Sequence, residues 1–392
     1  MTRTTRPLLR SALGTLAALT ALALPLVAPA GQTTASAAPL APMAPVATRG
    51  QAMVKVRELL DGTIQRWSYH SAGGTVTVAR PAPGSWTIRI SGFVAPGGNV
   101  QLTQYIMTGE GGRSFCAIAG WAPVKDAMEV HVKCWGDTGK PPTQTSFGVL
   151  FNSSLVLPST LYAAFTAPTG GFVDTITPPV TWRIGAVPTV QHAFVGHYLV
   201  EYPLATSTPF PVVTAISKVP RVCNITGWKL GVSTSHPGLK ALFVGVACFD
   251  FLGVARDTAF SFMMSNRNPL GVNGGSGGRI VVGNSAPVST TPLANNVNTR
   301  SGVAVANNSY RTVSTTPVDA ATYITMPGYP GAIAILDRQL DVVVSVGNDG
   351  TRCALEDSPL RYNGVLRVLL LCTRPNGTYL VHAANVGSWT FR

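Results

Sequence analysis

The chain has 392 residues, with 29 Lys and Arg against 16 Asp and Glu, a formal charge of +13, 40 Gly, 30 Pro and six Cys. Almost no stretch beyond the N-terminus carries helical periodicity, so strands and turns must do the folding. The basic residues stand singly, without the run that tracks nucleic acid, so nucleic acid is excluded as a partner and the charge points instead to anionic polymers or glycans.

At the start, Arg3, Arg6 and Arg10 precede an apolar run from Ala12 to Ala28 interrupted by Pro25. That is the plan of a signal peptide: a basic head followed by an apolar stretch barely long enough to span a bilayer. Small residues at Ala28-Pro29-Ala30 and Ser36-Ala37-Ala38 offer two cleavage points. The expected organisation is a signal and processing region over 1–38, a disordered leader over 39–50, and a secreted, extracellular mature protein without stable membrane insertion. Loss of the three arginines, with no acid before Glu58, lowers the charge from +13 to +10. No second apolar segment of spanning length follows, and the C-terminal Trp389-Thr-Phe-Arg392 carries no anchor or sorting signal, so release is expected.

The six cysteines then fall into three pairs, Cys116 with Cys134, Cys223 with Cys248, and Cys353 with Cys372. Their surroundings recur. Arg113-Ser-Phe-Cys116-Ala-Ile-Ala-Gly-Trp121 matches Arg221-Val-Cys223-Asn-Ile-Thr-Gly-Trp228, and Arg352-Cys353-Ala-Leu keeps the basic residue but has Ser358 at the tryptophan position. An alternating strand leads to each second cysteine, a glycine (Gly139, Gly253, Gly377) follows it, and an aromatic strand closes the unit. Upstream, Ser85–Ile90 answers His197–Tyr202 and Thr322–Met326. The spacing predicts three diverged repeats of about eight strands each. They span 51–155, 156–268 and 269–392, the last opening on a Gly/Asn/Ser-rich linker or long loop.

Each cysteine pair flanks a predicted hairpin and none shows Cys-x-x-Cys spacing, so three internal disulfides are expected rather than metal sites. Two all-β architectures satisfy the pattern: a six-bladed β-propeller with two blades per repeat, or three tandem β-sandwich domains. Runs such as Ala332–Leu336 and Val365–Leu371, apolar at successive positions, suit sheets buried on both faces and favour the propeller. The middle copy, through Tyr198, Val200, Val212, Val213, Cys223, Ile225, Trp228, Val244, Val246, Cys248, Phe249 and Asp250, resembles a class of secreted actinobacterial-type proteins with cysteine-paired β-repeats. The resemblance implies secretion and repeat architecture and brings no activity with it.

No residue set names a reaction. His192 and His197 flank a predicted strand and do not share a helical face, and Ser276 lies in a Gly-rich stretch without a strand-to-helix elbow. Glu356 and Asp357 are neighbours that a strand would point to opposite faces, and Asp137 and Asp250 follow their cysteines as turn residues. No cofactor or metal is implied. Trp121 and Trp228, fixed behind a cysteine, read as packing residues, which leaves Trp67, Trp86, Trp135 and Trp182 as the ligand-binding candidates. The expected function is a non-catalytic extracellular protein binding polysaccharide, glycan or anionic cell-envelope material. The alternatives are a secreted hydrolase with a site dispersed across repeats, and a structural envelope protein.

Overall fold

A computed structural model of the chain describes residues 50–106, 114–153, 163–167, 188–203, 210–265, 276–282, 288–289, 297–300, 303–306, 310–313, 322–326, 339–346, 348–356, 360–362, 365–375, 379–380 and 383–390. The chain divides into Met1–Ala44 and Pro45–Arg392. The signal and processing region, almost all of the leader, Trp182, Ala332–Leu336 and Asp357 lie outside the described residues. Among the described residues every regular element is a strand, and no helix is long and apolar enough to cross a membrane.

The first segment forms β1 (Gln51–Glu58), β2 (Ile64–His70), β3 (Val76–Ala82), β4 (Ser85–Ser91), β5 (Asn99–Ile106), β6 (Ser114–Val124), β7 (Ala127–Gly136) and β8 (Ser146–Asn152). The second forms β9 (Ala163–Ala167), β10 (Thr189–Phe194), β11 (His197–Pro203), β12 (Phe210–Ile216), β13 (Arg221–Val232), β14 (Lys240–Asp250) and β15 (Ala259–Ser265). The third begins with β16 (Ser276–Val282), β17 (Val288–Ser289), β18 (Val297–Arg300), β19 (Val303–Ala306), β20 (Tyr310–Val313) and β21 (Thr322–Met326). It continues with β22 (Gln339–Val346), β23 (Arg352–Glu356), β24 (Leu360–Tyr362), β25 (Val365–Thr373), β26 (Tyr379–Leu380) and β27 (Ala383–Thr390).

These strands make three open sheets. Their orders are β17-β20-β21-β25-β23-β5-β8-β1-β2, β10-β11-β14-β13-β22-β27-β16-β18-β19 and β3-β4-β7-β6-β12-β15-β9, with β24 and β26 also on β25. Every sheet joins strands of two segments at one short parallel contact: Ile118 opposite Ile216, Ile225 opposite Val346, and Leu355 opposite Tyr105. On the hairpin side the contact residue in each case stands two positions after a first cysteine. All other pairing among the described strands is antiparallel.

The propeller expectation is therefore corrected. A propeller needs separate four-stranded blades, whereas these sheets have 11, 9 and 7 strands. Separate tandem sandwiches do not describe the chain either, because each sheet continues from one segment into the next. Of the two apolar runs, Val365–Leu371 lies in β25, which runs between β21 and β23 within the largest sheet rather than in a blade; β8, between β1 and β5 in the same sheet, is buried at all seven positions.

Burial follows the period of two wherever one face meets a core. In β4 the side chains of Trp86, Ile88 and Ile90 are buried and those between them half-buried. They meet Val54, Val56, Phe147 and Phe151 from the opposite layer in one core, with the Trp86 and Phe147 ring centroids 5.6 Å apart, edge to face. A second core gathers Tyr198, Val200, Val244, Val246, Phe260 and Phe262, and takes in Phe115, Ala117 and Trp135 from the first segment.

Where β5 meets β12 and β15, a buried polar seam replaces apolar packing. Asn99 Nδ2 donates to Ser261 Oγ (2.8 Å) and to the Phe262 carbonyl (3.0 Å), Thr214 Oγ1 donates to Gln101 Oε1 (2.9 Å), and the Leu102 amide donates to Thr214 Oγ1 (3.0 Å). Paired in this way the groups avoid the cost of burial, and their geometry fixes how the layers meet.

Two bulge glycines turn the hairpin strands away from the parallel contact. The ladder shifts register at Ile118/Gly120 and at Ile225/Gly227, with φ of 143° and 152° at the two glycines, a region that disfavours any Cβ. This accounts for the glycine of the Gly-Trp pair shared by the sequences after Cys116 and Cys223. Gly196 turns β10 into β11 at φ 73°, where a Cβ would stand 2.6 Å from the Cys248 carbonyl oxygen and 2.7 Å from the Arg256 amide nitrogen. Gly196→Ala is expected to lower stability by at least about 1 kcal/mol, read from urea denaturation midpoints, with an unchanged midpoint contradicting this packing.

Candidate binding cavity where the three disulfide hairpins meet

Each disulfide joins residues directly opposite one another in an antiparallel hairpin: Cys116 and Cys134 across β6–β7, Cys223 and Cys248 across β13–β14, Cys353 and Cys372 across β23–β25. The three hairpins are the ones that make the parallel contacts. Their turns also touch: Gly139 lies against the Phe251 ring, and Gly253 against Pro375. The first cysteine of every bridge consequently lines a single cavity of about 90 Å³, between β5, β6, β12, β13 and β23.

Its wall is mainly apolar, from Leu102, Phe115, Val213, Ala215, Val222 and Ala354, with polar groups from Gln104, Asp137, Arg221, Asn224 and Arg352. The Arg352 guanidinium stacks over the Phe115 ring at 4.4 Å and stands 3.8 Å from the Asp137 carboxylate. Both Arg352 and Phe115 are largely buried, and Asp137 is exposed. Arg221 donates from Nη1 to its neighbour's carbonyl, Pro220 O, at 3.0 Å.

Asn224 is fully buried, and its Nδ2 donates to the Thr351 carbonyl at 2.9 Å. That carbonyl fixes the amide's orientation, since only the NH₂ end can face it. The other end, Asn224 Oδ1, has no hydrogen-bond partner among the described residues, and neither has Gln104 Oε1, although Gln104 Nε2 donates to Ser114 Oγ (3.1 Å) and Ser146 O (3.0 Å). Both oxygens are enclosed by surrounding protein atoms and are not presented to the cavity.

The hairpins differ most where they face this cavity. After the first cysteine stand Ala117, Asn224 and Ala354, and before it Phe115, Val222 and Arg352. Ala117 and Ala354 are both buried, so a methyl group meets the packing need at that position. The amide of Asn224 is an addition to the packing, and the guanidinium of Arg352 replaces an apolar side chain.

The aromatic candidates lie elsewhere. Trp86 is 1% exposed and belongs to the core, because β4 turns its even positions inward. Trp135 is also buried, its ring 5.7 Å from that of Phe115. Neither presents a face to a ligand, which corrects their assignment. Trp67 is half-buried on the edge strand β2. Trp121 and Trp228 are half-buried against the two cores, and Trp121 Nε1 donates to Gly97 O at 3.0 Å.

The histidines are placed apart from the cavity. His192 Nε2 pairs with Asp257 Oδ1 at 2.7 Å, and the same oxygen accepts from the Gly196 amide at 2.7 Å, tying the β10–β11 turn to the loop after β14. The Gly196 amide first, and His192 after burial has opposed it, hold the Asp257 carboxyl below its ordinary value. His197 stacks on Phe194, ring centroids 4.0 Å apart, and its Nε2 meets Asn348 Oδ1 at 2.6 Å. Asp250 caps its turn, accepting from the Leu252 and Val254 amides and from Arg256 Nε, each at 3.0 Å. Ser276 lies on β16 and Glu356 ends β23. Among the described residues no group of three or more His, Cys, Asp or Glu is placed to hold a metal.

Sequence reasoning used Arg221 and Arg352 as repeat markers and passed over Asn224. For Asn224 and Arg352 the usable signal was divergence, since each is polar where the sequences around the other two first cysteines have apolar residues, whereas Arg221 stands opposite Ser114 and Thr351 and carried no such signal. No known protein family, curated protein or solved structure matches the chain.

Proposed function

We propose that this is an exported binding protein, built from three diverged copies of one β unit, that holds anionic cell-envelope material without turning it over. The observation that carries the reading is the cavity between the disulfide hairpins, where two arginines are set into a mainly apolar wall. Such sites, mostly apolar with a few convergent polar groups, are the usual form of a small-ligand pocket. The basic head and apolar run at the N-terminus support export, and the three disulfides support an oxidising compartment. The net charge of +13 over the whole chain supports long-range attraction to a polyanion.

The test is cosedimentation of the secreted protein with purified cell-wall material across a salt series, with released products assayed in the same tubes. The expected result is retention at low ionic strength that weakens between about 0.05 and 0.5 M salt, as the Debye length falls below roughly 10 Å, without product release. Absence of retention at every salt concentration, or turnover of the material, overturns the reading.

A further inference from the structure

We propose that two adjacent turns at the disulfide end of the second segment, Phe194–Gly196 and Asp250–Val254, form a docking surface for the interface of a lipid bilayer. The surface is separate from the cavity and goes beyond the binding reading above.

Exposed apolar side chains gather on these turns. Phe194, Val195, Leu252 and Val254 are between 48% and 63% exposed. The turns lie side by side, since a Cβ on Gly196 would stand 2.7 Å from the Arg256 amide nitrogen and 3.2 Å from the Ala255 carbonyl carbon. Both are tied in place. His197 stacks on Phe194, and its Nδ1 meets the Val195 carbonyl oxygen at 2.9 Å. In the second turn the Asp250 amide donates to Val254 O at 2.9 Å and the Gly253 amide to Asp250 O at 3.0 Å.

The fold does not require apolar residues at these positions. In the first hairpin the same two bonds close the equivalent turn, from the Gly136 amide to Lys140 O (2.8 Å) and from the Gly139 amide to Gly136 O (2.9 Å). Leu252 and Val254 therefore stand where that turn has Thr138 and Lys140, and the third sequence has Asn376 and Thr378 at the same distances from its second cysteine. Phe194 stands where the first segment has Ala82, each paired with the residue that follows the turn glycine. Apolar side chains grouped at turns that polar ones fill equally well mark a contact surface.

Area and charge select the occupant. At these exposures each side chain presents on the order of 100 Å², so the patch comes to on the order of 400 Å². Two copies meeting face to face would bury about 800 Å², short of the roughly 1,200 Å² of a stable protein interface. A bilayer interface demands no matching shape, and binding to it scales with the apolar area that enters. The charges about the turns are even, with Lys140, Arg256, Arg352 and Arg374 against Asp137, Asp250, Asp257 and Asp349. An even count fits a zwitterionic lipid surface and gives no long-range pull toward a polyanion.

The test is flotation of the protein with phosphatidylcholine vesicles at about 0.1 and about 1 M salt, with circular dichroism as the fold check. Phe194→Ala/Leu252→Thr copies the first segment and is expected to fold. It is expected to lower the partition coefficient at least about tenfold. Val232→Thr, at the far end of the β13–β14 hairpin and itself exposed, is expected to leave it unchanged. The wild type is expected to float equally well at both salt concentrations. Leu252→Trp is expected to be quenched by lipids brominated in the acyl chain, and Val232→Trp is not.

Failure of the wild type to float, undiminished flotation of the double variant, or flotation confined to anionic vesicles and abolished by salt overturns the proposal. A doubling of mass in sedimentation equilibrium without lipid, lost in Phe194→Ala/Leu252→Thr, assigns the patch to a second copy of the chain and overturns it equally. The two readings fail separately: retention on wall material is salt-sensitive and is expected to survive the double variant, whereas vesicle binding is salt-insensitive and is not.

Discussion

With all three disulfides reduced and alkylated, the protein is expected to be unfolded at 25 °C. The bridges span 18, 25 and 19 residues of sequence, and each constrains the unfolded chain by roughly 3 kcal/mol in the loop-entropy account. The three loops do not overlap in sequence, so their effects add to on the order of 9 kcal/mol. That is comparable with the whole stability of a typical domain, about 5–15 kcal/mol. The hairpins that would loosen are also those carrying the parallel contacts between segments, so their loss disconnects the sheets. Circular dichroism of reduced, alkylated protein checks this: loss of the β signal and of a cooperative melt is expected, and a retained native melt contradicts it.

Glu201→Gln is expected to cost roughly 3 kcal/mol at pH 7, with the loss fading below pH 4. Glu201 lies buried on β11, and its carboxylate accepts from Ser233 Oγ (2.5 Å), the Thr234 amide (2.9 Å), the Ser235 amide (3.1 Å), Ser235 Oγ (2.8 Å) and the Thr234 hydroxyl. These donors form the far turn of the β13–β14 hairpin, whose near end holds the Cys223–Cys248 bridge, so the hairpin is fixed at both ends. Burial pushes the carboxyl's pKa up, but the donors of Ser233, Thr234 and Ser235 outweigh it and lower the value from 4.5 to about 2.

A depressed folded-state pKa means stability that is fully present above the unfolded value of 4.5 and lost as pH falls through about 2. At about 1.4 kcal/mol for each pH unit between those values, the contribution comes to roughly 3 kcal/mol. Urea denaturation of wild type and variant between pH 7 and pH 2 measures it. A difference that stays constant across that range contradicts the account.

The first segment answers the same requirement with the opposite charge. Arg89, aligned with Glu201, donates from Nη1 to Glu129 Oε1 at 2.9 Å and from Nη2 to the turn carboxylate of Asp126. Here Lys125, at φ 56°, makes a tight turn that lacks the serine and threonine hydroxyls of the second hairpin. The two hairpins thus keep one mechanical role, an anchor from the neighbouring strand to the turn, while the chemistry inverts.

The local part of this structure was legible because it depends on near neighbours in sequence. Cysteine anchors and alternating burial locate the hairpins, and the Gly-Trp pairs mark the bulges at Gly120 and Gly227. Segment-to-segment pairing was not legible. Ile118 meets Ile216, and Leu355 meets Tyr105, through one or two residue pairs far apart in the chain, too few to leave a periodic pattern. The run Val365–Leu371 of β25 was open to misreading for the same reason, since a run apolar at successive positions suits any interior strand, whether in a blade or in a long sheet. Trp86 and Trp135 were weighed as surface aromatics because composition does not tell which face of a strand turns inward. The cavity residues were hidden by their ordinariness: an asparagine and two arginines gain meaning only once the three hairpins converge.

The most direct measurement is a crystal structure of the protein grown with solubilised cell-wall fragments. The account predicts ligand density in the cavity beside Arg221, Asn224 and Arg352. Well-ordered fragment bound elsewhere on the surface, with the cavity holding only solvent, would contradict it.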